Sequence, residues 1–141
     1  MRSPKETLLA WVKAMNDHDA EAGAALYHEE AVNLQVATNA PLAGREAIRA
    51  DLAAFFAATP DTVTRIENLF EDGEWAILEW SGGGTFVGAP GLEMEKPQPY
   101  AMQGCGFFHV VDGLIIFQRG YWDRLSWLSQ LGLAREQPMI R

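Results

Sequence analysis

The chain has 141 residues, 48% of them hydrophobic, with 11 Lys and Arg against 19 Asp and Glu, a net charge of −8. That length and apolar share fit one domain, residues 1–141, with a buried core that needs neither a disulfide nor a structural metal. The acidic balance argues against nucleic acid and anionic membrane surfaces as partners. No run approaches the roughly 20 apolar residues of a membrane span. The first residues lack a signal peptide's apolar core, and Cys105 is the single cysteine, so a reducing cytoplasm is the expected compartment. Cys105 itself reads as a small buried apolar residue.

Ser3-Pro4-Lys5-Glu6 is a capping box with proline at the first helical position, and Leu8, Trp11, Val12 and Met15 follow at helical spacing. Asn16-Asp17-His18-Asp19 breaks that helix, and Asp19 can cap a second one running to about Glu29. His18 between two aspartates has too few ligands for a metal site. His28, Glu29 and Glu30 read as solvated. Ala31 to Val36 is a short strand, and Asn39-Ala40-Pro41 turns the chain. Gly44 leads into a third helix with Ile48, Leu52, Phe55 and Phe56 on one side, ended by Thr59-Pro60-Asp61.

Beyond Pro60 the period becomes two. Thr62–Phe70 and Trp75–Phe86 form a hairpin around Asp72-Gly73, and Gly82-Gly83-Gly84 marks a bulge or strong bend. A Gly- and Pro-rich loop covers 88–99. Tyr100–Val111 and Leu114–Asp123 form a second hairpin at Asp112-Gly113, and Leu125 to Leu133 is a last amphipathic segment. Helices followed by hairpin-linked strands indicate an α+β fold with helices on one sheet face.

The order and spacing of several short pieces resemble the SnoaL-like polyketide cyclase group of the nuclear transport factor 2-like (ketosteroid isomerase-like) superfamily. These are Trp11 to Asp19, Leu26-Tyr27 with Ala31-Val32-Asn33, Pro41 to Ile48, Glu79-Trp80, Phe107 to Gly113, Tyr121-Trp122-Asp123 and Gln130 to Leu133. The resemblance covers nearly the whole chain. It implies a cone-shaped half-barrel: a strongly curved, mostly antiparallel sheet wrapped around three N-terminal helices, with a short C-terminal helix. It also implies a small-molecule pocket at the open end and a homodimer through the outer sheet face. The fold hosts enzymes, binders and dimerising modules alike.

In these cyclases an aspartate matching Asp123 is the general acid/base of an aldol ring closure, and a histidine matching His109 stands beside it. A carboxyl in an apolar cavity has a raised pKa and can both take and return a proton near neutrality. The residues themselves leave another reading open, since Asp123 immediately precedes a helical segment and aspartate is a favoured cap. Counting out from Asp112-Gly113 pairs His109 near Phe117 rather than opposite Asp123, so an outer-face strand histidine is equally open. Strand parity groups Gln103, Cys105, Phe107 and His109 on one face, and Arg119, Tyr121 and Asp123 likewise. An Arg119–Asp123 ion pair would hold the acid ionised.

Tyr27, Asn33, Trp80 and Gln103, with Tyr121, Trp11 and Met15, form the expected substrate-binding shell, Trp80 being equally suited to core packing. The Arg–Asp pair of limonene epoxide hydrolase-like members is missing around Trp80. The strand acid of ketosteroid isomerase-like members is missing from 33–40. Phosphate-loop, dinucleotide and nucleophilic-serine motifs are absent too. The reading is a cofactor-free, metal-free acid/base enzyme of cyclase or isomerase type acting on an apolar carbonyl or polycyclic ligand. The competing classes are a non-catalytic ligand-binding or dimerisation module and, third, an epoxide hydrolase-like enzyme.

Overall fold

A computed structural model of the chain describes residues 1–134. Helix α1 spans Pro4–Asn16. Its capping box is complete: Ser3 Oγ accepts from Glu6 N at 3.1 Å, and Glu6 Oε1 accepts from Ser3 N at 2.9 Å. Leu8, Trp11, Val12 and Met15 face inward, as their spacing requires. Asp19 caps α2 (Ala20–Ala24) by accepting from Ala22 N at 2.9 Å.

The second helix does not reach Glu29. Strand β1 occupies Tyr27–Gln35 instead, and His28, Glu29 and Glu30 are exposed strand residues. The local pattern loses to long-range pairing: Ile115 N donates to Leu26 O, and Tyr27 lies opposite Ile115 on a distant strand. The register shifts between Tyr27 and Val32, so the segment that looked helical is taken up as an irregularity in the strand.

Strand β2 (Leu42–Ala43) pairs with β1. Helix α3 (Arg45–Ala58) follows Gly44, whose φ of 98° is open to glycine and few other residues. Ile48, Leu52 and Phe56 are buried on its inner side, and Thr59 closes it by donating from Oγ1 to Phe55 O at 2.7 Å. The remaining strands are β3 (Val63–Asp72), β4 (Trp75–Phe86), β5 (Gln98–Val111) and β6 (Leu114–Trp122), and α4 covers Arg124–Gln130.

The sheet order is β2-β1-β6-β5-β4-β3, with β1–β6 parallel and the other pairs antiparallel. Helix α1 packs on β3, β4 and β5, and α3 on β1 and β2. The core between them joins Leu8, Ile48, Leu78, Phe108 and Ile115, with Trp11 edge-on to Phe108 at 5.2 Å. A smaller cluster of Ala58, Phe86 and Leu131 forms where α4 folds back. Among the described residues no helix is long and apolar enough to cross a membrane.

The three glycines are not a bulge. Pairing of β4 with β5 runs unbroken through Gly82–Gly84, and the register shift lies on β3 between Ile66 and Asn68. Close backbone approach explains them: a Cβ on Gly82 would overlap Val63 O, and one on Gly83 would overlap Tyr100 O.

Ile115 is fully buried in the apolar core, flanked in the sheet by Tyr27 and Val110. Ile115→Ala is expected to lower unfolding free energy by about 2–5 kcal/mol in urea titrations followed by tryptophan fluorescence.

Candidate functional site: a cavity with two polar relays

The helices do not fill the inner face of the sheet. A cavity of about 440 Å³ remains between α1, α3, α4 and β1, β3–β6, within the size range of small-molecule sites. Its walls are mainly apolar and aromatic: Trp11 and Met15 from α1, Leu52 and Phe55 from α3, Trp80 from β4 and Trp127 from α4. Trp127 stands edge-on to Phe86 at 5.3 Å and to Trp122 at 6.1 Å. Gly104 lies opposite Trp80 on the neighbouring strand. A Cβ there would come within 2.8 Å of the indole, so the glycine makes room for the ring.

Polar side chains gather where β1 runs beside β6. Trp11 Nε1 donates to Tyr27 Oη at 3.0 Å, and Tyr27 Oη donates to Gln118 Oε1. Trp122 Nε1 donates to Gln35 Oε1 at 3.1 Å, and Gln35 Nε2 donates to Asn33 Oδ1 at 2.7 Å. Burial holds the Tyr27 hydroxyl well above the usual phenol range, with a smaller contribution of the same sign from the Asp51 charge. Tyr27 therefore stays protonated and remains a donor. Tyr27, Asn33, Gln35 and Gln118 all line the cavity.

Asp51, on α3, is the one carboxylate among the described residues lining this cavity, and no Lys, Arg or His joins it there. No hydrogen bond or ion pair to Asp51 forms among the described residues. Asp51 is exposed, yet partial shielding by its neighbours raises its carboxyl above the ordinary aspartate value. Sequence reading passed it over, although a signal was present. Asp51 is three residues from Ile48 and four from Phe55, which places a charge at the edge of the apolar stripe of α3. Gln118 was also missed. It is a polar residue in the inward phase of β6, shared with Gly120 and Trp122.

The expected catalytic pair lies elsewhere. β6 ends at Trp122, and Asp123 is the N-cap of α4, with Oδ1 accepting from Ser126 N at 3.0 Å. Its side chain is exposed and borders an open depression with Gln103, Glu79 and Tyr121, not the deep cavity. The capping bond explains this, because a carboxylate satisfying a helix N-terminus turns toward that helix. His109 pairs with Phe117 in the register and sits on the outer sheet face. There it stacks on Trp75 at 4.7 Å, with Nε2 3.0 Å from Glu74 Oε1. Sheet pleating puts it opposite to Phe108, which points into the core.

The same alternation keeps Gln103 out of the cavity, whereas Tyr121 borders both the cavity and the open depression. Gln103 is exposed beside Asp123, and the Tyr121 ring lies edge-on to outer-face Phe107 at 6.1 Å. Arg119 does not pair with Asp123. Its guanidinium lies over Phe107 at 5.4 Å and Phe117 at 5.8 Å. Tyr27, Asn33, Trp80, Tyr121, Trp11 and Met15 border the cavity. Among the described residues no group of three or more metal-ligating side chains comes together.

Comparison with known proteins fits this architecture. A ketosteroid isomerase-like protein of Catenulispora acidiphila, solved in complex with trimethylamine, is 24% identical over 94% of this chain and 96% of its own, with a TM-score of 0.79. IdmH of Streptomyces antibioticus, a proposed polyketide cyclase, is 22% identical over 93% and 99%, with a TM-score of 0.78. An epoxide hydrolase of M. tuberculosis of the LEH-like type is 19% identical over 91% and 88%, with a TM-score of 0.74. A search of curated proteins finds no match. The SnoaL-like domain model matches residues 8–118, most of the chain, and the chain therefore belongs to the SnoaL-like domain family.

Proposed function

We propose that the protein is a cofactor-free acid/base enzyme acting on an apolar carbonyl compound, with Asp51 rather than Asp123 as the proton carrier. The observation behind this is Asp51 itself, a carboxylate facing an aromatic-walled cavity without a cation beside it. Such a carboxylate takes a proton from the carbon next to a carbonyl; the C–H electron pair becomes the enolate double bond. The proton then returns to the same carbon, to another carbon, or to an oxygen formed by ring closure. Raising the carboxyl's pKa toward the working pH strengthens it as a base. Trp11, Met15, Tyr27, Asn33 and Trp80 hold the substrate. The trimethylamine complex, the proposed cyclase and the epoxide hydrolase among the structural neighbours support a small-molecule role for this fold.

The finer shape we propose is the cone-shaped half-barrel, with the sheet curved around its helices. We also propose a homodimer through the outer sheet face, where Phe70 is 58% and Tyr121 40% exposed beside Phe107, Phe117 and Trp75. The cytoplasm is the proposed compartment, with Cys105 unpaired.

Deuterium exchange tests the chemistry. With apolar cyclic ketones in D2O followed by proton NMR, the wild type is expected to exchange α-protons, and Asp51→Asn to lose about 10²–10⁴-fold of that rate. Asp123→Ala should exchange normally while losing about 0.5–2 kcal/mol of stability, the cost of a missing helix cap. Ketone binding without exchange would favour the binding module, and epoxide opening dependent on Asp51 would favour a hydrolase.

Asp51 also sets a pH dependence. Its folded pKa is raised, so it is protonated in folded and unfolded chains alike at low pH and costs nothing there. As pH climbs from the ordinary aspartate value of about 3.9 through the raised value, the native state comes to hold a shielded charge, and stability falls. Melting temperatures of wild type and Asp51→Asn should therefore diverge with rising pH, the variant becoming the more stable. Parallel curves would remove the shielding argument.

Light scattering tests assembly: a dimer is expected for the wild type and a monomer for Phe117→Glu.

A further inference from the structure

The two relays run in one direction. An indole N–H can only donate. Trp11 therefore occupies a lone pair of the Tyr27 hydroxyl, whose own proton goes to Gln118 Oε1. With its carbonyl oxygen accepting from Tyr27, Gln118 has its NH2 group left for another partner. The second relay obeys the same logic. Trp122 Nε1 fixes Gln35 Oε1 as an acceptor, so Gln35 Nε2 is the end that donates to Asn33 Oδ1. Asn33 is left with its NH2 group. Each relay begins at a donor-only indole and ends at an amide NH2.

The two ends meet. Asn33 and Gln118 are register partners across the parallel β1–β6 pair. Both residues are more than nine-tenths buried, 8% and 6% exposed, and both line the cavity. Among the described residues neither amide nitrogen has a hydrogen-bond partner. Both amide nitrogens are open to the cavity and free of protein acceptors, so an acceptor atom of a ligand entering the cavity can pair with both.

We propose that Asn33 and Gln118 form a two-donor site for the carbonyl oxygen of an apolar ligand, oriented by the Trp11–Tyr27 and Trp122–Gln35 relays. Neighbouring strands lie about 4.8 Å apart. Side chains of register partners on adjacent strands are near enough for both amides to reach one oxygen at ordinary hydrogen-bond length. Gly120 belongs to this arrangement: it pairs with Gln35, and a Cβ on it would overlap the Gln35 amide. The proposal deepens the acid/base reading and rests on it for the reaction. Asp51 takes the α-proton while the two amides hold the oxygen on which negative charge collects. As a binding site for an oxygen acceptor it stands apart from that reaction. A hydrocarbon leaves the two donors unpaired, and an ammonium group offers them nothing to bind.

The test uses α-tetralone and its hydrocarbon analogue tetralin, with affinity read from tryptophan fluorescence and the bound carbonyl stretch from infrared difference spectra. The wild type is expected to bind α-tetralone about tenfold or more tightly than tetralin, the value of one well-made hydrogen bond. The bound carbonyl stretch should move to lower frequency than in an apolar solvent. Gln118→Leu and Asn33→Leu should each erase most of the preference and the shift while keeping tetralin affinity, which also certifies that the cavity is folded. Trp11→Phe keeps the ring and removes the N–H that sets the first relay; it should weaken the preference, whereas a purely packing role for Trp11 predicts no change.

Equal affinity for the two probes, or a carbonyl shift intact in both leucine variants, would overturn the two-donor site and leave Asp51 chemistry standing. Ketone preference without α-proton exchange would do the reverse. Failure of the wild type to bind either probe overturns both.

Discussion

The parallel pairing of β1 with β6 is the constraint on which the site depends. It sets Asn33 beside Gln118 and Gln35 beside Gly120, and it leaves Tyr27 and Trp122 within reach of the amides they bond. Two strands distant in sequence thereby supply a polar surface that neither carries alone. The same pairing explains why α2 is so short. Residues after Ala24 are recruited into β1, because a strand bonded to β6 gains ladder bonds and buries Tyr27 and Ala31. A helical run to Glu29 would have kept its local bonds and left the inner edge of β6 without a partner.

Local features were legible in the sequence for the same reason that β1 was not. The capping box at Ser3 and Glu6, the Asp72-Gly73 and Asp112-Gly113 hairpins, and the apolar stripe of α3 involve residues within a few positions of each other. Their chemistry can be judged without the rest of the chain. Tyr27, Asn33, Trp80, Tyr121, Trp11 and Met15 were expected at the cavity and border it. Gln118 and Asp51 were legible only as exceptions to a pattern: a polar side chain in the inward phase of β6, and a charge beside the apolar stripe of α3. Such exceptions become meaningful once the opposite wall is known to be a cavity rather than packed core.

The two charged groups singled out by resemblance show the limit of motif matching. Tyr121-Trp122-Asp123 matches the cyclase segment in type and order, yet the strand ends one residue before the carboxylate. From that point strand parity no longer governs where the side chain points, and the helix N-terminus does. For His109 parity does apply, and it places the ring on the face opposite Phe108. A one-residue difference in phase separates a histidine in the pocket from one stacked on Trp75.

A carboxylate cannot serve fully in both roles assigned to the late aspartate. As a cap it is useful when ionised, accepting from backbone N–H groups that favour the charged form. As a proton carrier it must spend part of its time protonated near the working pH, which requires shielding from water and distance from such donors. Asp123 meets the first set of conditions, exposed and bonded to Ser126 N. Asp51, though exposed as well, lines the cavity, takes no hydrogen bond from a backbone N–H among the described residues, and has its carboxyl raised by partial burial. In the proposed reading the acid is therefore carried by α3, on the same cavity as the two amides. A fold shared among cyclases, hydrolases and binders can move its acid from a strand end to a helix and keep its cavity, because sheet pairing builds the cavity and a single side chain supplies the acid.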